Sequence, residues 1–242
     1  MDTTRWALPV RRVERNPRAQ GLDPGAWPAT VPAVAQLLRD GLDLGPVTVL
    51  VGENGAGKST VLEGVAWAYG LDARGGTVNT RGLVDDDEPD PVGRALRVVR
   101  GPGAGRWGFF LRAETMHQVF DRITGGRDDP GDYHAMSHGE AFTALLGTQR
   151  YLGPGFYCFD EPESALSLTS QLALVAQLAD VVATGTAQVL VATHSPVLAA
   201  LPGARLLLVD DDGLTETRWE DLPLVAHWRA FLDDPRRYLR HL

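Results

Sequence analysis

The chain has 242 residues, 44% of them hydrophobic and 22% charged, with a formal net charge of −8 at pH 7. That suits one large α/β domain ahead of two small ones, and the acidic balance argues against a uniformly basic nucleic-acid binder while leaving a local basic face open. No apolar run reaches the ~20 residues needed to cross a bilayer, and the single cysteine, Cys158, excludes an internal disulfide framework and suits a reducing cytoplasm.

The N-terminal stretch, with Asp2, Arg5, Arg11, Arg12, Glu14 and Arg15, lacks the apolar heart of a signal peptide. Residues 1–46 mix short apolar stretches with Pro and Gly, which predicts edge strands and a short helix near 31–39. The β-branched run 46–51 predicts a buried strand, and 58–69 a helix stopped at Gly70. Residues 71–93, rich in Gly and Asp, read as an exposed insertion, and the run Asp85-Asp86-Asp87-Glu88 reads as a solvated loop rather than a cation site. Segments 94–100 and 106–112 are expected to pair as strands around a loop at 101–105. A helix over 114–123, a polar loop over 124–135 and a helix over 141–149 follow. A strand at 156–159, a long helix at 168–183 and strands at 188–192 and 206–209 complete an alternating series. Such alternation predicts a largely parallel sheet flanked by helices. Asp210-Asp211-Asp212-Gly213 predicts a hairpin turn. The tail from Leu222 is helical in character and ends in a basic cluster, Arg236, Arg237 and Arg240. There is no internal repeat and no sustained heptad pattern.

Chemistry concentrates in a few segments. Gly52-Glu53-Asn54-Gly55-Ala56-Gly57-Lys58-Ser59 lies between a predicted strand and a predicted helix, the context a phosphate loop requires. Its glycines let backbone N–H groups turn inward, and the helix adds its positive end. Lys58 is expected on the β- and γ-phosphates and Ser59 on Mg²⁺, with Thr60 completing the nucleotide contacts. Of the 23 basic residues only Lys58 is a lysine. A compact ammonium fits between phosphates where a planar guanidinium does not.

Phe156-Tyr157-Cys158-Phe159-Asp160-Glu161 is an apolar strand ending in two carboxylates. The strand delivers Asp160 to the edge where an open α/β sheet places its ligands. There Asp160 suits the Mg²⁺ hydration shell and Glu161 the role of general base, with Glu163 and His194 next in line. Cys158 reads as a small buried apolar residue. His117, His134 and His138 lack the further ligands a zinc site needs. Trp27, 25 residues before Gly52, suits core packing or a Trp-Pro turn; an adenine-stacking aromatic is the other reading.

Three further motifs follow in the order found in the ABC ATPases, and the chain resembles that family over residues 47–210. Ser137-His138-Gly139-Glu140 resembles the family's signature motif in a shortened form, and Ser164-Ala165-Leu166-Ser167 resembles its D-loop. His194, in Ala192-Thr193-His194-Ser195-Pro196, resembles the switch histidine that contacts the γ-phosphate. The Ser-His-Gly-Glu signature followed by Phe142, and the stretch Phe109-Phe110-Leu111-Arg112-Ala113-Glu114, are similar to stand-alone ATPases allied to the RecF, SbcC and SMC-type group. Only about twenty residues separate Glu114 from Ser137, so the long coiled-coil arms of SMC proteins are excluded. The family's Q-loop glutamine is not evident after the 106–112 strand; Glu114 stands in its place, with Gln118 the alternative.

The resemblance implies a P-loop NTPase fold over residues 1–242. It would have a mostly parallel sheet, an antiparallel edge subdomain and a small helical lobe over 113–150 that carries the signature. It implies Mg²⁺-ATP hydrolysis in a site shared by two subunits of a homodimer. One subunit supplies Gly52 to Thr60, Asp160, Glu161 and His194; the other supplies Ser137, Gly139, Glu140 and the D-loop. Three roles stay open. One is a cytoplasmic mechanochemical ATPase in DNA repair, mobile-element control or defence, with DNA or a nuclease as partner. The second is the nucleotide-binding subunit of a transporter, although a membrane partner is not expected. The third is a non-catalytic nucleotide-gated module. Arg11, Arg12, Arg15 and Arg18 join the basic tail as candidates for nucleic-acid contact.

Overall fold

The computed structural model describes residues 8–72, 75–78, 90–112 and 153–240. In chain order the elements are β1 (Arg12–Arg15), α1 (Pro32–Asp40), β2 (Leu42–Asp43), β3 (Val47–Val51), α2 (Lys58–Tyr69), β4 (Gly76–Thr77), α3 (Pro91–Ala95) and β5 (Leu96–Val99). Then come β6 (Gly108–Arg112), β7 (Gly155–Asp160), α4 (Leu168–Ala183), β8 (Ala187–Thr193), β9 (Arg205–Asp210), β10 (Gly213–Thr217), α5 (Pro223–Asp233) and α6 (Arg236–Leu239). The expected helices at 114–123 and 141–149, the lobe 113–150 and the acidic run 85–88 lie outside the described residues.

The central sheet has seven strands in the order β10-β9-β3-β8-β7-β6-β4. The five from β9 to β6 run parallel, and an antiparallel strand closes each edge. Strands so placed are covered on both faces, and therefore need apolar residues at every position rather than at alternate ones. The sequences Val-Thr-Val-Leu-Val in β3 and Gly-Phe-Tyr-Cys-Phe-Asp in β7 are buried throughout. Alternation instead sorts side chains between two cores. Val47, Val49, Tyr157, Phe159, Val189 and Val191 pack with Leu174, Leu178 and Val181 of α4. Leu50, Phe156, Cys158, Leu190 and Ala192 pack with α1 and α2 on the opposite face. Each fully buried large aliphatic side chain contributes about 1.5–3 kcal/mol.

A second sheet, β2-β1-β5, is antiparallel. It overturns the expected pairing of 94–100 with 106–112. β5 pairs with β1, in the register Val13↔Val98, whereas β6 enters the central sheet beside β7. Two-sided burial decides this. β6 is buried from Gly108 to Leu111 and needs cover on both faces, while β5 exposes Arg97, which meets Glu14 of β1 at 2.5 Å. Arg94 and Ala95 belong to α3 instead of a strand.

Nor is 71–93 simply an exposed insertion. Leu71 and Asp72 are buried, Gly76 and Thr77 form an edge strand on β6, and Val92 packs against α2. Trp27 is 70% exposed, so it does not pack in the core, and it sits in the turn before Pro28. The hairpin at Asp210–Gly213 forms as its composition predicts. Among the described residues no helix is long and apolar enough to cross a membrane.

Candidate nucleotide site

Parallel register brings the chemical segments together. Val51 lies beside Thr193, and Asp160 lies between Arg112 and Ala192, so β3, β6, β7 and β8 end at one edge of the sheet. This is where open α/β sheets place ligands. The residues just past those ends are Gly52, Glu161 and His194.

Gly55 and Gly57 have φ of 83° and 99°, a region that glycine enters without strain. At Gly57 the space is closed as well, because a Cβ would lie 2.4 Å from Val31 Cγ1. Gly57 thereby caps α2, whose first residue is Lys58. Lys58 is only 3% exposed. Its Nζ donates to Glu53 O at 2.9 Å and lies 3.6 Å from Glu161 Oε1. An ammonium has three donors. A buried one so lightly engaged at the mouth of a glycine loop fits a polyphosphate.

Ser59 Oγ donates to Asp160 Oδ1 at 2.9 Å. A hydroxyl and a carboxylate oxygen side by side at a phosphate loop fit Mg²⁺, which takes one or two protein oxygens and completes its shell from water and phosphate. Arg112 flanks this pair, with Nε 3.7 Å from Asp160 Oδ2 and NH2 2.9 Å from Glu63 Oε1 on α2. Cys158, two residues earlier in β7, has its thiol pushed well above the usual range by burial and by the Asp160 charge, which fits an inert core residue.

Glu161 has φ of 47°, and it is the one non-glycine residue at positive φ among those described. Its N–H donates to Ala192 O at 2.9 Å, which ties the strained turn to β8. Such strain persists only where surrounding structure holds it, and functional sites are where it collects. His194 Nδ1 lies 3.6 Å from Glu161 Oε1 and 3.3 Å from Glu163 Oε1. Glu163 itself accepts from Thr193 Oγ1 at 2.6 Å and from the His194 N–H at 2.7 Å.

Gly52 to Thr60, Asp160, Glu161 and His194 therefore meet at one edge of the sheet. Ser137, Gly139, Glu140, Glu114, Gln118 and the three zinc-candidate histidines lie outside the described residues. Sequence alone gives Arg112, Glu63 and Thr193 no distinguishing role in the site. Glu163, the third acidic residue of Asp-Glu-Pro-Glu, reads from sequence as a substitute base, and that signal carries no hint of burial.

Two family models match the chain. One, described as "AAA domain, putative AbiEii toxin, Type IV TA system", covers residues 82–200, and one described as an AAA domain covers 40–89. The hemin import ATP-binding protein HmuV of Enterobacter cloacae is 30% identical over 216 residues, 77% of this chain and 81% of that protein. The chain belongs to the ABC-type P-loop ATPases. Solved structures similar to this ATPase include the SMC head domain from Thermotoga maritima, at 16% identity and TM-score 0.39 over 73% of this chain and 92% of that one. Another is cbiO1 from Clostridium perfringens, part of the ABC transporter complex cbiONQ, at 14% identity and TM-score 0.43 over 84% and 90%. The parallel neighbours β3, β8 and β7 carry the phosphate loop, the histidine and the carboxylate pair to that one edge.

Proposed function

We propose that this ABC-type ATPase binds Mg²⁺-ATP at the shared edge of β3, β7 and β8 and hydrolyses it. One observation carries the reading: a buried ammonium, a hydroxyl–carboxylate pair and a strained glutamate converge beside an imidazole from separate segments. Backbone N–H groups from Gly52 to Thr60 and the N-terminus of α2 receive the phosphates. Lys58 exchanges Glu53 O and Glu161 for β- and γ-phosphate oxygens. Glu161, released from Lys58, takes the proton of the attacking water, and His194 holds the γ-phosphate. Ser59 and Asp160 are the residues that would hold Mg²⁺, which supplies charge neutralisation on the β- and γ-oxygens. Trp27, exposed in the turn four residues before Val31, which borders Gly57, is available to an adenine ring.

The resemblance assigns Ser137, Gly139, Glu140 and the 164–167 turn to the opposite subunit's nucleotide, which makes the working unit an ATP-bridged homodimer. Residues 1–242 act as one domain, with its motifs over 47–210 and a signature lobe over 113–150. The favoured role is a cytoplasmic mechanochemical ATPase in DNA repair, mobile-element control or defence, acting on DNA or through a partner such as a nuclease. The Ser-His-Gly-Glu signature supports it. Likeness to HmuV favours a second reading, an importer's nucleotide-binding subunit. Co-purification of nucleic acid or a nuclease, against a membrane protein, separates the two. The exposed Arg236, Arg237 and Arg240 remain candidates for nucleic-acid contact, whereas Arg12 is engaged by Glu14 and Asp43.

Turnover assays test the chemistry. Lys58→Ala is expected to abolish ATP binding or turnover. Glu161→Gln is expected to bind Mg²⁺-ATP normally and hydrolyse it at least ~10²-fold more slowly, the scale of a lost general base. Wild-type turnover in Lys58→Ala would sink the phosphate-loop assignment, and unchanged turnover in Glu161→Gln would move the base elsewhere.

A further inference from the structure

Behind the histidine lies a carboxylate that the proposed chemistry does not use. The Glu163 side chain is 5% exposed, and a buried carboxylate is costly unless its oxygens are satisfied. Oε1 accepts from Thr193 Oγ1 and from the His194 N–H, at 2.6 and 2.7 Å. Oε2 is buried with no hydrogen-bond partner among the described residues. His194 Nδ1 is buried and unpartnered in the same way, although it lies 3.3 Å from Oε1. A buried ring nitrogen thus lies 3.3 Å from a buried carboxylate that still has acceptor capacity. A small turn of the ring would bring Nδ1–H onto that carboxylate.

The ring is 42% exposed while its Nδ1 is buried, so its exposure lies on the opposite side, toward Nε2. The loop that carries it is held from a second direction. Ser195 Oγ donates to Gln171 Oε1 at 2.6 Å, and Gln171 Nε2 donates to Leu166 O at 3.1 Å. The backbone of His194 is therefore anchored on both sides, and the remaining freedom is rotation of the imidazole. A carboxylate behind the inner nitrogen of a histidine selects which nitrogen carries the proton and where the outer one points.

We infer that Glu163 is the positioning residue of His194: it accepts a hydrogen bond from Nδ1–H and so presents Nε2 to the phosphate site. The inference rests on the reading of His194 as the residue facing the γ-phosphate. Glu163 acts through the ring and does not touch substrate.

Glu163→Gln is the informative variant. Its amide oxygen can still accept from Thr193 and from the His194 N–H, while the charge behind the ring is removed and the second acceptor oxygen becomes an NH2 donor. Imidazole ¹⁵N spectra of the full chain, nucleotide-free and with a non-hydrolysable ATP analogue, report the tautomer, with the His194 signals assigned by their loss in His194→Ala. The expected wild-type result is the Nδ1–H form, the minority tautomer of a free histidine side chain. Glu163→Gln should lose that preference, lower kcat by about 10- to 100-fold, the scale of removing a partner behind a functional histidine, and leave KM for Mg²⁺-ATP unchanged. Because Glu163 works through the ring, Glu163→Gln combined with His194→Ala should be no slower than His194→Ala alone. An Nε2–H wild-type ring, a wild-type kcat in Glu163→Gln, or multiplying losses in the double variant would overturn the assignment. Full turnover in His194→Ala would instead remove the underlying reading of His194. Glu163→Ala, with its melting temperature, separates lost folding from lost positioning, since only Glu163→Gln is expected to keep the wild-type melting point.

Discussion

Lys58 is buried, cationic and lightly engaged at once. Its ammonium has a carbonyl at 2.9 Å and a carboxylate at 3.6 Å, both of which an incoming phosphate can replace. What places the ammonium there is the residue before it. Gly57 stands at φ 99°, and a Cβ at that position would meet Val31 Cγ1 at 2.4 Å. Gly57→Ala therefore adds a left-handed backbone penalty of about 1–2 kcal/mol to a collision with α1's cap residue. The expected outcome is a lower melting temperature together with weakened ATP binding. Adding Val31→Ala should recover part of the stability, because it removes the collision and leaves the backbone strain. A Gly57→Ala protein with wild-type melting and wild-type affinity would show that the loop's shape does not depend on this glycine.

At the scale of elements, α2 is the helix that carries the phosphate loop, and its seating against α3 is tight. A Cβ on Gly64 would lie 2.6 Å from Val92 Cγ1, and one on Gly93 would lie 2.7 Å from Trp67 Cβ. The two glycines let the helices meet where any side chain would hold them apart. α3 is fixed in turn by Asp90, which accepts from the Gly93 N–H as an N-cap. Burial raises the Asp90 carboxyl above its usual range, while the Gly93 and Val92 N–H groups pull it back. Gly93→Ala overpacks this contact, and such changes cost about 1–3 kcal/mol. Denaturant unfolding should show that loss, while the Kd for Mg²⁺-ATP of the folded fraction stays at the wild-type value, since Gly93 is remote from the loop. A change in Kd without a change in stability would mean that α3 tunes the site rather than supporting it.

At the scale of the molecule, the described site is open on the side where the phosphates would sit: Glu161 and His194 are 31% and 42% exposed. The resemblance to ABC ATPases assigns Ser137 and Gly139 of a second subunit to that side. Dimerisation should then depend on ATP, because the nucleotide would form part of the interface. Light scattering is expected to show Glu161→Gln as a monomer or loose dimer alone and as a closed dimer with Mg²⁺-ATP. Ser137→Arg should block closure and leave nucleotide binding to the single subunit intact. Mixing Ser137→Arg with Lys58→Ala subunits should restore one working site per heterodimer, since by the resemblance each defect would spare one of the two shared sites. Full turnover by Ser137→Arg as a strict monomer would defeat the composite site and leave the phosphate loop standing.

Sequence by itself determined what is local. A left-handed glycine loop, its lone lysine, an apolar strand ending in carboxylates and a histidine after a strand each answer to a few contiguous residues, whose backbone and charge requirements are legible without a partner. Strand–helix alternation carried the parallel sheet for the same reason, with β3, β7, β8 and α2 falling where periodicity put them. Only the tertiary structure decided what depends on two distant segments at once. The pairing of β5 with β1, instead of its chain neighbour β6, followed from which strand needed cover on both faces. The glutamate behind the histidine meets Thr193 across 30 residues of sequence, because β7 and β8 align Asp160 with Ala192. Shifting that register by one residue would turn every side chain to the opposite face. Composition cannot specify such a contact; the packing of both faces of the sheet does.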